Sequence, residues 1–328
     1  MRVTFFLAGE DDLAALERID PDRDFQAFLR GERVWILQTF LRLRRAGHSV
    51  ELRNELPDDG LVFFHVKQRR EVIARWRRTC RAALVGVRAD NPRTPIADFE
   101  ILQNDCYARE GVRFAVPHWP QPGILPRDPA RGTALRRVAY HGFDYNLDPR
   151  FLARGFQDAL AAQGIEWVFD SVEFVGKATD QRRVAWNDYR DIDLVLAVRP
   201  PSRTLHATKP ATKLYNSWHG RTPAVLGPEY AYRALRRAPL DYIEASEPGQ
   251  ALREILALRE HPDRYRAMVE NGIGRARDFT PDAILQRWVA LAFEILPALA
   301  NTPRVMRWRG RSLELKKLAK RLLPFAGL

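Results

Sequence analysis

The chain has 328 residues, 46% of them hydrophobic, which allows two domains of ordinary size and excludes global disorder. No apolar run approaches the ~20 residues of a membrane-spanning helix, and the opening runs from Met1–Ala8 straight into Glu10-Asp11-Asp12, unlike a signal peptide. The net charge is +12, but eight Lys or Arg face Glu314 alone from Pro303 to Leu328, so +7 falls in this tail and +5 on the other 302 residues. That distribution argues for a basic appendage and against a nucleic-acid-binding body.

In chain order, short apolar runs alternate with amphipathic ones, the pattern of an α/β protein with parallel sheets. Val3–Leu7 reads as a strand, and Arg33–Arg45 as a helix stopped by Gly47. Strands are expected at Ser49–Leu52, Gly60–Val66, Ala83–Val87, Phe99–Leu102 and Val112–Val116, with a helix over Arg69–Arg81. Residues Pro117–Pro129 hold five prolines in thirteen positions, which neither a helix nor a central strand accommodates. This is the expected hinge.

A second α/β unit follows. It reads as strand Arg137–Tyr140, helix Pro149–Gln163, strand Glu166–Phe169, a helix-like turn at Trp186–Tyr189, strand Leu194–Val198, helix Pro210–His219 and strand Ala224–Leu226. Helices Gln250–Arg259, Asp263–Arg277 and Ala283–Leu296 close the unit. The expected domains are therefore 1–118, a hinge 119–135, a second domain 136–300 and a basic tail 301–328.

The stretch from Arg199 to Trp218 carries the most chemistry. A strand ends at Val198, a loop follows, and a helix is expected to open at Pro210 with Thr208 as its cap. Exposed N–H groups at such an end attract phosphate. Lys209 and Lys213 lie four residues apart at that end and can share one face. There they would hold a diphosphate and stabilise its charge as it leaves. The alternative is a pair of solvated lysines, a placement the helix dipole opposes. Tyr140-His141-Gly142-Phe-Asp-Tyr-Asn146 follows the second unit's first strand, and Gly142 there lets backbone approach a phosphate. Neither G-x-G-x-x-G nor a Walker-type loop is present, so a nicotinamide or other resident cofactor is not expected.

Lys213-Leu-Tyr-Asn-Ser-Trp-His-Gly-Arg-Thr-Pro-Ala-Val-Leu-Gly resembles the donor-site segment of GT-B glycosyltransferases, K-L-x-E-A-x-x-x-G-x-P-V-I. The preceding Trp186–Arg199 and the later helices resemble the same family over roughly Arg137 to Leu296. The resemblance implies two Rossmann-like α/β domains facing a cleft. It also implies a last helix returning to the first domain, and transfer of a sugar from a nucleoside-diphosphate donor to a glycan or lipid-linked acceptor. By that resemblance the donor site comprises Gly142, Asn146, Arg199, Thr208, Lys209, Lys213, Asn216 and Glu229. Two family glutamates are replaced by Thr208 and Asn216. Asn216 keeps a hydrogen bond to a ribose hydroxyl within reach without supplying a carboxylate. Glu229 follows a strand end and either takes over a sugar or ribose contact or is a solvated loop residue. Retention or inversion stays open.

For the acceptor side, His65 and Asp90 follow strand ends of the first domain and are the expected catalytic groups, with His65 as base. Asp191-Ile-Asp193 matches a metal-binding D-x-D in spacing only. The acids precede their strand instead of leaving its carboxyl end, so the pair reads as structural and no metal is expected. Cys80 and Cys106 show no ligand spacing or disulfide framework, which fits a reducing cytoplasm. Residues 304–325 alternate basic and apolar residues at helical spacing, suiting a peripheral contact with an anionic membrane surface. Two other readings remain. One is a sugar-nucleotide epimerase of the same fold, and the other a non-catalytic module binding anionic surfaces.

Overall fold

A computed structural model of the chain describes residues 1–77, 79–172, 174–175, 178–179 and 184–300. The basic tail, with the expected membrane contact at 304–325, lies outside the described residues. The chain divides into two compact units, Trp119–Pro281 forming one and Met1–His118 with the returning segment from Asp282 forming the other. The expected second domain 136–300 therefore ends at Pro281. The proline-rich segment belongs to the second unit, where Leu125 N–H donates to Asn187 O at 2.8 Å and Arg127 N–H to Gly220 O at 2.9 Å.

The first unit is built on six strands, β1 (Val3–Phe6), β2 (Glu51–Arg53), β3 (Leu61–His65), β4 (Ala83–Ala89), β5 (Phe99–Leu102) and β6 (Arg113–Ala115), all parallel in the order β2-β1-β3-β4-β5-β6. Every residue of β1, β3, β4 and β5 is buried, as a sheet covered on both faces requires. Short α1 (Leu13–Leu16) is capped by Asp12. The expected helix Arg33–Arg45 is present as a π-helical turn, Arg33–Leu37, running into α2 (Gln38–Arg45). Helix α3 (Arg69–Arg75) stops six residues short of its expected end because Trp76 turns extended and buries its ring.

The second unit holds β7 (Arg137–Phe143), α4 (Arg154–Ala161), β8 (Glu166–Val172), the antiparallel pair β9 (Phe174–Val175) and β10 (Ala178–Thr179), β11 (Leu194–Ala197), α5 (Thr212–His219), β12 (Ala224–Leu226), α6 (Tyr230–Leu235), β13 (Ile243–Glu244), α7 (Pro248–Glu260) and α8 (Pro262–Ala276). Its five-stranded sheet is parallel, in the order β13-β12-β11-β7-β8. Leu194, Leu196, Val225, Leu226 and Tyr140 are at most 0% exposed and anchor the core. Each such side chain contributes about 1.5–3 kcal/mol by leaving water. The expected helix Pro149–Gln163 breaks at Ala153, which is extended, into a one-turn 3-10 helix and α4.

From Asp282 the chain packs with the first unit as α9 (Pro281–Val289), a π-helical turn and α10 (Leu296–Ala300). Trp288 meets Trp35 at 6.3 Å and Phe63 at 6.0 Å between ring centroids. The helical run Pro262–Ala300 is, by length and composition alone, apolar enough to cross a membrane, contrary to expectation. Met268, Ile284, Trp288 and Leu296 along it are buried, as is 33% of its qualifying apolar window.

Candidate functional site

In the second sheet, β7 is the first strand in sequence and lies between β8 and β11. The chain order reverses there, and the crevice at the carboxyl ends beside such a reversal is where open parallel sheets bind ligands. His141 and Gly142 sit near the carboxyl end of β7. Arg199 lies two residues beyond β11, Glu229 three beyond β12, Lys213 in the first turn of α5 and Tyr232 on α6. Parallel pairing brings all of these carboxyl-terminal loops to one edge.

The Lys213 amine donates to the His141 carbonyl oxygen and stands 4.6 Å from the Tyr140 ring centroid, a cation–π distance. A Cβ at position 142 would lie 2.5 Å from that nitrogen, and Gly142 has φ +154°. The backbone angle reserves the position for glycine, while the lysine tip could shift. Arg199 pairs with Glu229 through Oε2, and its Nε donates to Asn146 Oδ1 at 3.3 Å. Burial opposes the charge on Arg199, but Glu229 outweighs it and raises the guanidinium above its ordinary value. Part of Lys213 is open to solvent, yet its amine is surrounded. Burial and then Arg199 lower it to about 7, with Glu229 opposing.

Two buried polar atoms at this edge have no hydrogen-bond partner among the described residues, Glu229 Oε1 and His141 Nδ1, while the Tyr232 hydroxyl lies against Arg199. Glu229 is 2% exposed and Tyr232 0%, so Glu229 is no solvated loop residue. A buried polar group left unpaired costs about 1–3 kcal/mol, and two at one place point to a polar ligand that completes them. Burial, then Lys213, lower His141 to about 4, so its ring is neutral. The set offers two cationic donors suited to phosphate oxygens, and a free carboxylate oxygen suited to a hydroxyl.

Gly142, Asn146, Arg199, Lys213 and Glu229 are thus brought together, while three other expected residues have local surroundings that differ from expectation. Helix α5 begins at Thr212 with Ala211 as N-cap and no side-chain cap, so Thr208 does not cap it. Instead the chain from Pro200 winds through turns, with Leu205 and His206 at φ +47° and +50°. His206 Nε2 bonds Pro200 O at 2.7 Å, and Lys209 N–H bonds His206 O at 2.8 Å. Lys209 therefore lies in a loop and shares no helical face with Lys213. Asn216 is 3% exposed and its Oδ1 accepts from Gln121 N–H at 3.3 Å. That oxygen fastens the proline-rich segment to α5.

In the first unit, His65 ends β3 but is only 1% exposed. Its Nδ1 accepts from Lys67 N–H at 3.4 Å and stands 4.0 Å from Glu32. Nε2 has no partner among the described residues and faces Gly31. Burial, opposed by Glu32, lowers the imidazole to about 4. The ring is therefore neutral at neutral pH, the form that can accept a proton. Asp90 is exposed just beyond β4.

Asp193 is structural, at the amino end of β11. Its carboxylate accepts from Arg127 at 3.0 and 2.8 Å, from Arg131 at 2.8 Å twice, and from Arg136 and Arg137 N–H at 2.8 and 2.9 Å. Asp191 pairs with Arg137. Sequence reasoning missed Tyr140, His141 and Tyr232. The first two were flagged only by adjacency to Gly142, and Tyr232 lies on a helix with no strong apolar period.

No family model matches the chain, and no curated protein matches it in sequence. Solved structures do match. HepE from Anabaena, solved with UDP and glucose, superposes with a TM-score of 0.56 at 14% identity, over 89% of this chain and 99% of HepE. Solved with UDP-glucose, it gives 0.52 at 12% identity, over 92% and 100%. TarM gives 0.52 at 9% identity over 81% of this chain, which spans only 58% of the TarM chain. A variant of the S. aureus TarM gives 0.53 at 8% identity, over 81% of this chain and 59% of that one. The architecture is that of the GT-B fold.

Proposed function

We propose that this chain is a hexosyltransferase-like glycosyltransferase that uses a nucleoside-diphosphate sugar. The observation that carries the reading is the incomplete cluster at the reversal point of the second sheet. Arg199 and Lys213 stand there beside the unpartnered Glu229 Oε1. Support comes from HepE, which has the same fold and was solved with UDP and with UDP-glucose. In the proposed reaction the bond from the anomeric carbon to the diphosphate oxygen breaks, and an acceptor hydroxyl oxygen takes its place. Lys213 and Arg199 stabilise the negative charge growing on the diphosphate without a metal. Glu229 holds Arg199 with one oxygen and a donor hydroxyl with the other, and Asn146 fixes the orientation of Arg199. The acceptor is a glycan or a lipid-linked sugar, and residues 304–325 hold the enzyme at the anionic cytoplasmic face of a membrane.

Calorimetry with UDP, GDP, CDP and dTDP tests this. One nucleotide is expected to bind clearly, and Lys213→Ala to weaken it about tenfold, the value of one charged hydrogen bond. Absence of binding by all four overturns the reading.

A further inference from the structure

The chain strongly prefers arginine. Of its 53 Lys and Arg, 46 are arginine, and only seven positions hold lysine. One of the seven is Lys213, in the most demanding electrostatic setting of the second unit. Its neighbours define the charge balance. Arg199 is a permanent cation and occupies Oε2 of Glu229. The hydrogen-bond acceptor of the Lys213 amine is the uncharged His141 carbonyl, and the Tyr140 ring lies beneath it. The His141 imidazole is neutral, and the Tyr140 hydroxyl donates to Phe143 O at 2.6 Å. Two cations thus share one carboxylate in a largely dry pocket. Arginine cannot lose its proton there, so the lysine is the group that does.

We infer that Lys213 is a nucleophilic amine in the empty site and a modification site for aldehydes that carry a phosphate group. The phosphate is placed by Arg199, so the inference rests on the anion-binding reading above. The lowered value of about 7 leaves roughly half of the amine unprotonated at neutral pH, whereas a solvated lysine is almost wholly charged. Geometry selects the class of reagent. Lys213 is half-buried as a residue and stands beside a guanidinium suited to phosphate, with Asn146 holding that guanidinium in place. An aldehyde without phosphate lacks the second contact.

The step balances without an external oxidant. The Lys213 nitrogen lone pair attacks the aldehyde carbon, and the carbonyl electron pair moves to oxygen. A proton passes from nitrogen to that oxygen, giving a carbinolamine. The oxygen takes up another proton and leaves as water, and the nitrogen lone pair forms a carbon–nitrogen double bond, giving a protonated imine. Borohydride then delivers hydride to the carbon, and the double-bond pair returns to nitrogen as the lone pair of a secondary amine, which makes the adduct permanent.

The test treats the full chain with pyridoxal 5′-phosphate at neutral pH, reduces with borohydride and maps the adducts by mass spectrometry. The expected result is labelling concentrated on Lys213 among the seven lysines. It should be about tenfold faster than with unphosphorylated pyridoxal, the factor one charged hydrogen bond supplies. Pyrophosphate, and the nucleotide found by calorimetry, should protect the site, and Lys213→Arg should remove that adduct alone. Arg199→Gln should erase the advantage of the phosphorylated reagent. If this variant does not fold, protection of the wild type by pyrophosphate still tests the placement. Labelling spread evenly over the lysines, or absent from Lys213, overturns the inference. Nucleotide binding without Lys213 labelling overturns it while leaving the donor reading intact. Labelling of Lys213 with neither nucleotide binding nor protection supports the reactive amine and removes the donor reading.

Discussion

Two buried carboxylates sit at opposite ends of the same parallel sheet, and they are finished differently. Asp193, at the amino edge, has both oxygens engaged by Arg127, Arg131 and two backbone N–H groups. Glu229, at the carboxyl edge, gives one oxygen to Arg199 and has no hydrogen-bond partner among the described residues for the other. Both are almost fully shielded, at 0% and 2% exposure. Burial alone therefore does not separate architecture from chemistry. Saturation does, because a carboxylate whose acceptor capacity is used up has nothing to offer a ligand, whereas a half-used one in a crevice does.

The largest effect should follow from breaking the saturated centre. Asp193→Ala removes the shared carboxylate of Arg127 and Arg131 and is expected to cost about 3–5 kcal/mol of stability, measured by urea unfolding. A cost below about 1 kcal/mol, the ordinary value of an exposed pair, would remove its architectural role. The same centre is sensitive to acid. Burial pushes Asp193 up, but Arg131, the Arg136 N–H and Arg127 outweigh it, so its value lies below the ordinary 3.8. Its contribution is present in full above that ordinary value and is lost as pH falls through the lower folded one.

Next comes Gly142→Ala, which drives a methyl toward the Lys213 amine at 2.5 Å. It is expected to cost about 1–3 kcal/mol through strain at that backbone angle and to abolish measurable nucleotide binding in the calorimeter. Retained binding would place the diphosphate elsewhere. Glu229→Gln keeps the shape of the side chain and should alter stability by less than about 2 kcal/mol, less than the change at Asp193. Sugar transfer should nonetheless fall about tenfold or more, as one charge-assisted contact to donor or Arg199 is lost. Equal stability losses at Glu229 and Asp193 would erase the distinction drawn between them.

A smaller, graded effect is expected from pH. Arg199, Glu229, His141 and Tyr140 surround the Lys213 amine, and a bound diphosphate favours its charged form. Raising pH above 7 should therefore weaken binding by up to about tenfold per unit. This is best read with an intact nucleotide sugar, whose esterified phosphates do not titrate there. A flat profile between pH 6.5 and 8.5 would show that Lys213 stays charged throughout. The least effect on the site should come from deleting 303–328, which leaves nucleotide affinity unchanged but removes co-sedimentation with phosphatidylserine vesicles. Unchanged vesicle binding would remove the membrane role of 304–325.

Much of the scaffold was legible. Strands Phe99–Leu102 and Ala224–Leu226 appear at their expected bounds, and α8 is displaced by one residue at each end. Short apolar runs with turn residues on both sides signal parallel strands directly. Helix boundaries were read less well. Trp186–Tyr189 is a turn with an isolated bridge from Asp188 to Leu125, a contact 63 positions away that no local pattern carries. In the site, Lys213, Arg199 and Gly142 were legible because a phosphate site has local signs, namely basic residues and a glycine at strand ends. Tyr232 carried no such sign. Thr208 and Lys209 carried one too, but the turns at Leu205 and His206 delay the start of α5 to Thr212.

By itself the sequence determined the alternation of strands and helices, the proline-rich junction and the placement of Asp191-Ile-Asp193 before its strand. These depend on side-chain periodicity and on the backbone limits of proline, which act over a few residues. Only the tertiary structure decided which polar groups are saturated. It paired Asn216 with Gln121, buried His65 into a neutral state and lowered Lys213, leaving Glu229 with one oxygen unpaired. Those outcomes are set by desolvation and by partners tens of residues away, and neither is written in the spacing of the chain.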